Sequence, residues 1–110
     1  MATENIKVSL GVDYLIELNV DRFPELLEPD YILTGQVRIL STNFLVCSFD
    51  IIKAPIQNRI YIILKSINTK NLVINNQHKY LYDIIARNDN EVYKLMDGIV
   101  TFNPTITSIT

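Results

Sequence analysis

Apolar and polar residues alternate along most of this chain, beginning near its N-terminus. Between residues 6 and 20 every even-numbered residue is apolar, whereas the odd-numbered residues are mostly polar. A period of two places apolar side chains on one face of a β-strand and polar side chains on the other. Fifteen residues are long for a single strand, and Gly11 with Asp13 is the expected place for a break. The segment therefore predicts two short strands or one kinked strand.

Strand signals continue downstream of a loop. Residues 21–30 contain two prolines and four acidic residues, which predicts a connecting loop with a single helical turn. Strands are predicted over residues 31–40 and 44–52, paired as a hairpin, and over residues 59–67, which are apolar on both faces. Because no repeat or linker divides it, the chain 1–110 predicts one all-β domain, a sandwich of about seven strands.

The C-terminal third of the chain predicts a long β-hairpin. A two-residue loop at residues 89–90 places Ala86 opposite Tyr93. The same register points Asp83 and Asp97 to opposite faces of the sheet. This pair of carboxylates is therefore not expected to share acid–base work or to bind calcium together.

The positions of the apolar residues change parity within the second strand of this hairpin. Beyond Gly98 the large apolar residues Val100 and Phe102 occupy even positions, and one extra residue would produce that change. We predict a β-bulge at Asp97 and Gly98, since glycine suits the positive φ of many bulges. The alternative is that another backbone segment passes close to Gly98. Ile99 is left on the outward face and is a candidate contact residue.

A two-part motif covers the same hairpin. Tyr-x-Tyr-Asp and a polar turn are followed by Leu-x-(Asp/Glu)-Gly-x-Val-x-(Val/Phe)-x-Pro-x-(Ile/Val)-Thr. The matching residues are Tyr80, Tyr82, Asp83, Leu95, Asp97, Gly98, Val100, Phe102, Pro104, Ile106 and Thr107. This motif resembles the small β-sandwich virion proteins of tailed bacteriophages, which are similar in plan to the N-terminal domain of phage baseplate upper proteins. The chain departs from the pattern at residues 77–79, where such proteins commonly carry a glycine.

The resemblance implies both a fold and a role. The fold would be an immunoglobulin-like antiparallel β-sandwich, and the role would be that of a non-enzymatic structural subunit in a virion. Such a subunit would assemble in the host cytoplasm, in the tail or baseplate, and would contact other virion proteins and further copies of itself. Two alternatives stay open, namely a capsid decoration protein and a carbohydrate- or receptor-binding module.

Composition and charge narrow the classes of partner. Hydrophobic residues make up 48% of the chain and the net charge is −2, with no basic cluster, so no nucleic-acid partner is expected. No apolar run approaches the roughly 20 residues of a membrane-spanning helix, so no membrane is expected either. A single cysteine and an N-terminus without the pattern of a secretion signal favour folding in a reducing cytoplasm.

No catalytic, cofactor or metal site is expected from the sequence. His78 is the single histidine, and one histidine with one distant cysteine cannot supply the four ligands of a usual zinc site. Cys47 alternates with apolar residues and is interpreted as a small buried hydrophobe. The acidic residues between positions 25 and 30 lack the glycine and the ligand spacing of a calcium loop.

Several apolar residues are candidates for an interface. Phe44, Tyr61 and Tyr93 lie on the less favoured face of a strand, or on a strand that is apolar on both faces. They either form exposed contact surface or pack against the opposing sheet. The C-terminal residues Ile99, Pro104, Ile106 and Ile109 complete the set, because the tail is predicted to pair with a neighbour or a sheet edge. Residues 1–5 and 103–110 are candidate flexible arms.

Overall fold

The computed structural model describes residues 2–105. Nine strand segments make up most of this range. Three short helices also lie within it: two 3-10 turns, Pro24–Leu27 and Pro55–Gln57, and one α-helical turn, α1, Ser66–Thr69. The strands are β1 (Ala2–Thr3), β2 (Ile6–Ser9), β3 (Tyr14–Asn19), β4 (Ile32–Ile39), β5 (Leu45–Ser48), β6 (Asp50–Ala54), β7 (Arg59–Leu64), β8 (Tyr80–Arg87) and β9 (Val92–Asn103).

The strands form two sheets that pack face to face. In the large sheet the order is β5–β4–β8–β9, and both β1 and β2 pair with the remaining edge of β9. In the small sheet the order is β3–β7–β6. These orders correspond to strands C′–C–F–G and B–E–D of the immunoglobulin fold. The prediction of an all-β immunoglobulin-like sandwich is confirmed, with seven strands from β3 to β9 and two shorter N-terminal segments.

The sandwich is not wholly antiparallel, which corrects one part of the prediction. Both β1 and β2 run parallel to β9, with Thr3 beside Asp97 and Ile6 beside Val100. The remaining strand pairs are antiparallel. Residues 2–5 thus lie along the sheet, and Asn103 still belongs to β9.

The predicted break in the first apolar segment is confirmed. Gly11 adopts a positive φ of 76°, which glycine reaches without steric cost, and its N–H donates to the Thr69 hydroxyl at 2.9 Å. The turn at Gly11 carries the chain from β2 in the large sheet to β3 in the small sheet. The predicted helical turn in the following loop is also present, as Pro24–Leu27.

The prediction of one strand over residues 44–52 is wrong. The chain passes from the large sheet to the small sheet at Phe49, so that β5 and β6 are separate strands in different sheets. Phe49 is buried at this crossing, and its N–H donates to the Gly35 carbonyl at 2.8 Å. A register shift in β5 turns Leu45 outward while Cys47 points inward.

The core lies between the inner faces of the two sheets. From the small sheet, β7 contributes Ile60, Ile62 and Leu64, all fully buried. From the large sheet, Tyr80 packs edge-on against Phe102 with ring centroids 5.4 Å apart. The core is rich in β-branched side chains, whose restricted rotamers suit a pleated surface.

Candidate interaction surfaces

The C-terminal hairpin closes where the sequence predicts. The Asn88 N–H donates to the Glu91 carbonyl at 3.0 Å, and the Asn88 side-chain oxygen accepts from the N–H groups of Asn90 and Glu91. Ala86 lies opposite Tyr93, which confirms the predicted start of the register. The turn is held by the asparagine side chain, as is common in Asx-type turns.

The bulge that changes the parity of β9 lies at Leu95, not at Asp97 and Gly98 as predicted. The register shifts between Ile84 and Ile85, so Lys94 pairs with Ile85 and Met96 pairs with Ile84. Leu95 is the extra residue. The sequence could not distinguish Leu95 from Met96 as the core residue, because both are long apolar side chains; the structure buries Met96.

The alternative for Gly98 is confirmed: another backbone segment passes close to it. A Cβ atom on Gly98 would lie 2.1 Å from the Glu4 carbonyl oxygen. That oxygen accepts a 2.6 Å hydrogen bond from the hydroxyl of Tyr82, the residue opposite Gly98. One residue further on, the Ile99 N–H donates to the Asn5 side-chain oxygen at 3.0 Å. Glycine is required here because the N-terminal segment occupies the space of a side chain.

An outer groove of about 520 Å³ lies on the solvent side of the large sheet. Its sides are formed by the N-terminal segment near Asn5 and by the β4–β5 turn near Leu40. Cross-strand rows bring polar and apolar side chains together on its floor. We call this surface the outer groove, with the floor residues Gln36, Arg38, Leu81, Asp83, Asp97 and Ile99.

Two carboxylates face each other in the outer groove, which corrects the predicted register. Asp83 and Asp97 are direct cross-strand partners and therefore point to the same face. Asp97 accepts a hydrogen bond from the Thr3 hydroxyl at 2.9 Å and lies 3.6 Å from the Lys94 ammonium. Since Asp97 is already engaged and calcium needs six to eight oxygen ligands, the pair alone does not make a cation site.

The guanidinium of Arg38, on the floor of the outer groove, is also held in place by hydrogen bonds. Arg38 donates to the side-chain oxygen of Gln36 at 2.7 Å through Nη2, and to the Asn43 carbonyl at 2.9 Å through Nη1. These two contacts fix the guanidinium beside the β4–β5 turn. The groove thus presents ordered polar groups beside the aliphatic side chains of Leu81 and Ile99, a mixture typical of a contact surface.

A second surface is the solvent side of the small sheet. Leu15 is 56% exposed and Ile52 is 52% exposed, and both lie beside half-buried residues of β7. Cross-strand pairing joins Leu15 to Ile63 and Ile52 to Tyr61. We call these four residues the apolar face. No residue between 2 and 105 covers the side chains of Leu15 and Ile52.

The β4–β5 turn exposes a third group of large apolar side chains. Asn43 adopts a φ of 58°, and its N–H donates to the Ile39 carbonyl at 2.8 Å. The turn leaves Phe44 65% exposed, next to the exposed side chains of Leu40 and Leu45. We call Leu40, Phe44 and Leu45 the turn patch.

Two tyrosines converge on one carboxylate near the β8–β9 turn. The rings of Tyr31 and Tyr93 stack with centroids 6.4 Å apart. Tyr31 donates to the Glu91 carboxylate at 3.3 Å, and Tyr93 donates to the other oxygen of the same carboxylate. The hydrogen bond to Glu91 raises the pKa of Tyr93 to about 12, because the carboxylate favours the neutral phenol. We call Tyr31, Glu91 and Tyr93 the tyrosine cluster.

The structure does not gather the predicted interface residues at one place. Phe44 and Ile99 lie at the same end of the large sheet, whose row Leu45–Arg38–Leu81–Ile99 connects them. The others are dispersed: Tyr61 on the apolar face, Tyr93 in the tyrosine cluster and Pro104 exposed after β9. Ile106 and Ile109 lie outside the described residues.

The most exposed members of the apolar face are absent from the predicted set. Leu15 is an apolar residue among the mostly polar odd-numbered positions of residues 6–20. This exception in the alternation is the sequence feature that indicates an exposed apolar side chain. Ile52 gave no such signal, because the exposure of its side chain depends on the sheet change at Phe49.

Cys47 is the single cysteine of the chain, and its side chain is buried. Burial raises the pKa of the Cys47 thiol to about 11, which keeps it protonated. Within residues 2–105 no group of three or more His, Cys, Asp or Glu side chains converges. The helices of the same range are all too short to span a membrane.

No protein-family model matches the chain, and no curated protein matches its sequence.

Proposed function

We propose that the protein is a non-enzymatic structural subunit of a tailed-bacteriophage virion, associated with the tail or baseplate. It acts through contacts with other virion proteins and with copies of itself. The observation that carries the proposal is the display of large apolar side chains on separate faces of a rigid sandwich. The virion setting is supported by the resemblance of the C-terminal hairpin alone.

The arrangement of exposed apolar side chains supports a role in assembly. Large hydrophobic residues that are at least two-fifths exposed occur on both sheets and in the connecting loops. They are Val12, Leu15, Phe23, Ile32, Leu40, Phe44, Leu45, Ile52, Ile56, Ile67, Val73, Val92 and Tyr93. Single exposed apolar residues are normal on protein surfaces, but here some of them are adjacent, in the apolar face and in the turn patch. Free energy is gained when a partner removes such surface from water.

The size of each surface favours several neighbours over one tight partner. Three strands spaced about 4.8 Å apart and about 20 Å long give the apolar face an area of roughly 300 Å². A stable pairwise interface buries about 800 Å² on each partner. In an ordered particle, one contact holds the subunit at a high effective concentration near its next neighbour. Several individually weak contacts can therefore give stable attachment together. The dispersed surfaces therefore fit a subunit surrounded by neighbours.

Quantitative mass spectrometry of purified particles tests the proposal. Particles of the phage whose genome encodes the chain should contain it in a fixed copy number. A few to dozens of copies, recovered with isolated tails, would support the tail or baseplate, whereas hundreds of copies recovered with heads would indicate a capsid decoration protein. Absence of the chain from purified particles would contradict a structural role in the virion.

A second candidate, a carbohydrate-binding module, is favoured by the tyrosine cluster. Sugar sites in proteins combine an aromatic surface with hydrogen-bonding groups, and here Tyr93 and Glu91 meet at an exposed position. Both oxygens of the Glu91 carboxylate, however, already accept hydrogen bonds from the two tyrosines.

A glycan array screened with the intact protein and with Tyr93→Ala tests the second candidate. Binding that disappears in the variant would support it. An array without signal for the intact protein would reject it.

A further inference from the structure

The outer edge of β3 has no partner strand within residues 2–105. Strand β3 is the terminal strand of the small sheet and pairs with β7 along its other edge. In the constant-type immunoglobulin plan a strand A pairs with strand B at this place. Here the N-terminal segments β1 and β2 pair with β9 instead. In the part of the chain that the structure describes, no segment therefore takes the position of a fourth strand in the small sheet.

The other sheet edges carry features that discourage pairing. Strands β2 and β5 have four residues each, and β5 contains a bulge. Strand β6 carries the inward-pointing Lys53, which donates to two carbonyls of the β3–β4 loop, Glu28 at 2.7 Å and Tyr31 at 2.6 Å. Short length, bulges and inward charges all protect edges. By contrast, β3 has six residues without proline, glycine or bulge.

The hydrophobic core is incompletely covered along β3. The inward side chains of β3 are only half-buried, whereas their direct partners on β7 are fully buried. The difference arises because no residue of the described range covers the outer side of β3. The half-buried side chains are Tyr14, Ile16 and Leu18.

We propose that an extended segment of a partner protein pairs with the outer edge of β3 and becomes the fourth strand of the small sheet. Its alternate residues would be apolar, to cover Ile16 and Leu18, and it would lack proline. On the solvent face it would carry a lysine or arginine opposite Glu17. Glu17 lies beside Tyr61 and makes no hydrogen bond or ion pair with residues 2–105. This proposal does not depend on whether the protein is a virion subunit.

A peptide titration followed by ¹⁵N NMR tests the proposal. The probe is a hexapeptide with blocked ends in which valine alternates with threonine and one central threonine is replaced by lysine. We expect the amide shifts to concentrate on residues 14–19, and hydrogen exchange of these amides to slow when the peptide is added. A peptide with proline at the central position is the control and should leave these amides unchanged. Shifts that are absent, or that lie elsewhere, would overturn the proposal.

A charge exchange at Glu17 tests the predicted side-chain chemistry of the partner. The Glu17→Lys variant should bind the lysine peptide about two- to fivefold more weakly, and a glutamate version of the peptide more tightly by a similar factor. Glu17 is exposed, so both Glu17→Lys and the milder Glu17→Gln should fold normally. If both peptides bind both variants and the parent equally, a basic residue opposite Glu17 is ruled out.

Two other occupants of the β3 edge give distinct results in the same experiment. If the edge belongs to a second copy of the chain, exchange of amides 14–19 slows with protein concentration in the absence of peptide. If it belongs to residues 106–110 of the same chain, these amides are protected at every concentration, and truncation after Thr105 removes the protection. Either result would overturn the assignment of this edge to a partner protein.

Discussion

The Tyr82 hydroxyl and the missing side chain of Gly98 together hold the N-terminal segment against β9. Tyr82 is buried, and its hydroxyl donates to the carbonyl oxygen of Glu4, which occupies the space beside Gly98. A buried hydroxyl without a partner would cost about 1–3 kcal/mol. The Glu4 carbonyl therefore satisfies a polar group of the core while the N-terminal segment completes the large sheet.

Substitution of Gly98 by alanine should destabilise the protein by about 1–3 kcal/mol. The added methyl group would overlap the Glu4 backbone, which must then move away from β9. Urea denaturation measures the change in the free energy of unfolding. In a background that lacks residues 1–4 the same substitution should cost less, because the overlapping backbone is gone. An equal cost in both backgrounds would show that Glu4 is not the cause.

Three of the six tyrosines should ionise at a pH above the ordinary value of a phenol. They are Tyr31, whose pKa is raised by burial, and Tyr82 and Tyr93, whose pKa values are raised further. Burial of Tyr82 and the hydrogen bond from Tyr93 to Glu91 each raise the pKa of the phenol to about 12. Because the folded-state values lie above the ordinary 10.0, the stabilisation is complete below pH 10 and is lost as the pH rises towards 12.

Absorbance at 295 nm follows these ionisations. Glu91→Gln should lower the pKa of Tyr93 and of Tyr31, which both donate to this carboxylate, and leave that of Tyr82 unchanged. Tyr82→Phe should remove one of the three late-titrating groups. Ionisation of Tyr82 and Tyr93 near pH 10 in the folded protein would contradict the structural assignment.

At the scale of strands, alternation predicts where β-structure lies but not which sheet a strand joins. Cys47, Phe49 and Ile51 all point inward although the chain changes sheets at Phe49. Both sheets face the same core, so the period of two continues across the change and conceals it. The close approach at Gly98 was hidden for another reason, because it depends on a residue 94 positions away, Glu4, at the other end of the chain.

The candidate surfaces were predicted less well than the strands. Phe44 could be recognised as a contact residue because it sits outside the alternation of its strand, and the turn exposes it. The same argument predicts Tyr93 as a contact residue, but part of its side chain makes contacts within the protein, since it stacks on Tyr31 and donates to Glu91. Exposure depends on neighbouring strands that a single sequence does not reveal.

Lysine substitutions on the apolar face should weaken assembly without weakening the fold. Leu15→Lys and Ile52→Lys place a charge on side chains that are already more than half exposed, so unfolding free energies should change by no more than about 0.5 kcal/mol. A contact that buries this face would have to desolvate the charge, and incorporation into particles should fall severalfold. Val73→Lys, at an exposed position away from this face, is the matched control. Normal incorporation of both variants into particles would show that the apolar face makes no contact that assembly requires.

At the scale of the whole molecule, the fold presents several small candidate contact surfaces around one hydrophobic core. The outer groove and the turn patch lie on the large sheet, and the apolar face lies on the small sheet. The edge of β3 that has no partner within residues 2–105 borders the small sheet. Such a distribution suits a subunit that touches different neighbours on different sides. The apolar face, at roughly 300 Å², is smaller than the area of about 800 Å² that each partner buries in a stable pairwise interface.

An electron cryomicroscopy map of the intact particle tests this central claim most directly. We expect the sandwich to occupy a repeated position in the tail or baseplate, with the apolar face and the turn patch both buried against neighbouring proteins. A map in which the sandwich is present but both surfaces face solvent, or in which no density accommodates the sandwich, would contradict the account.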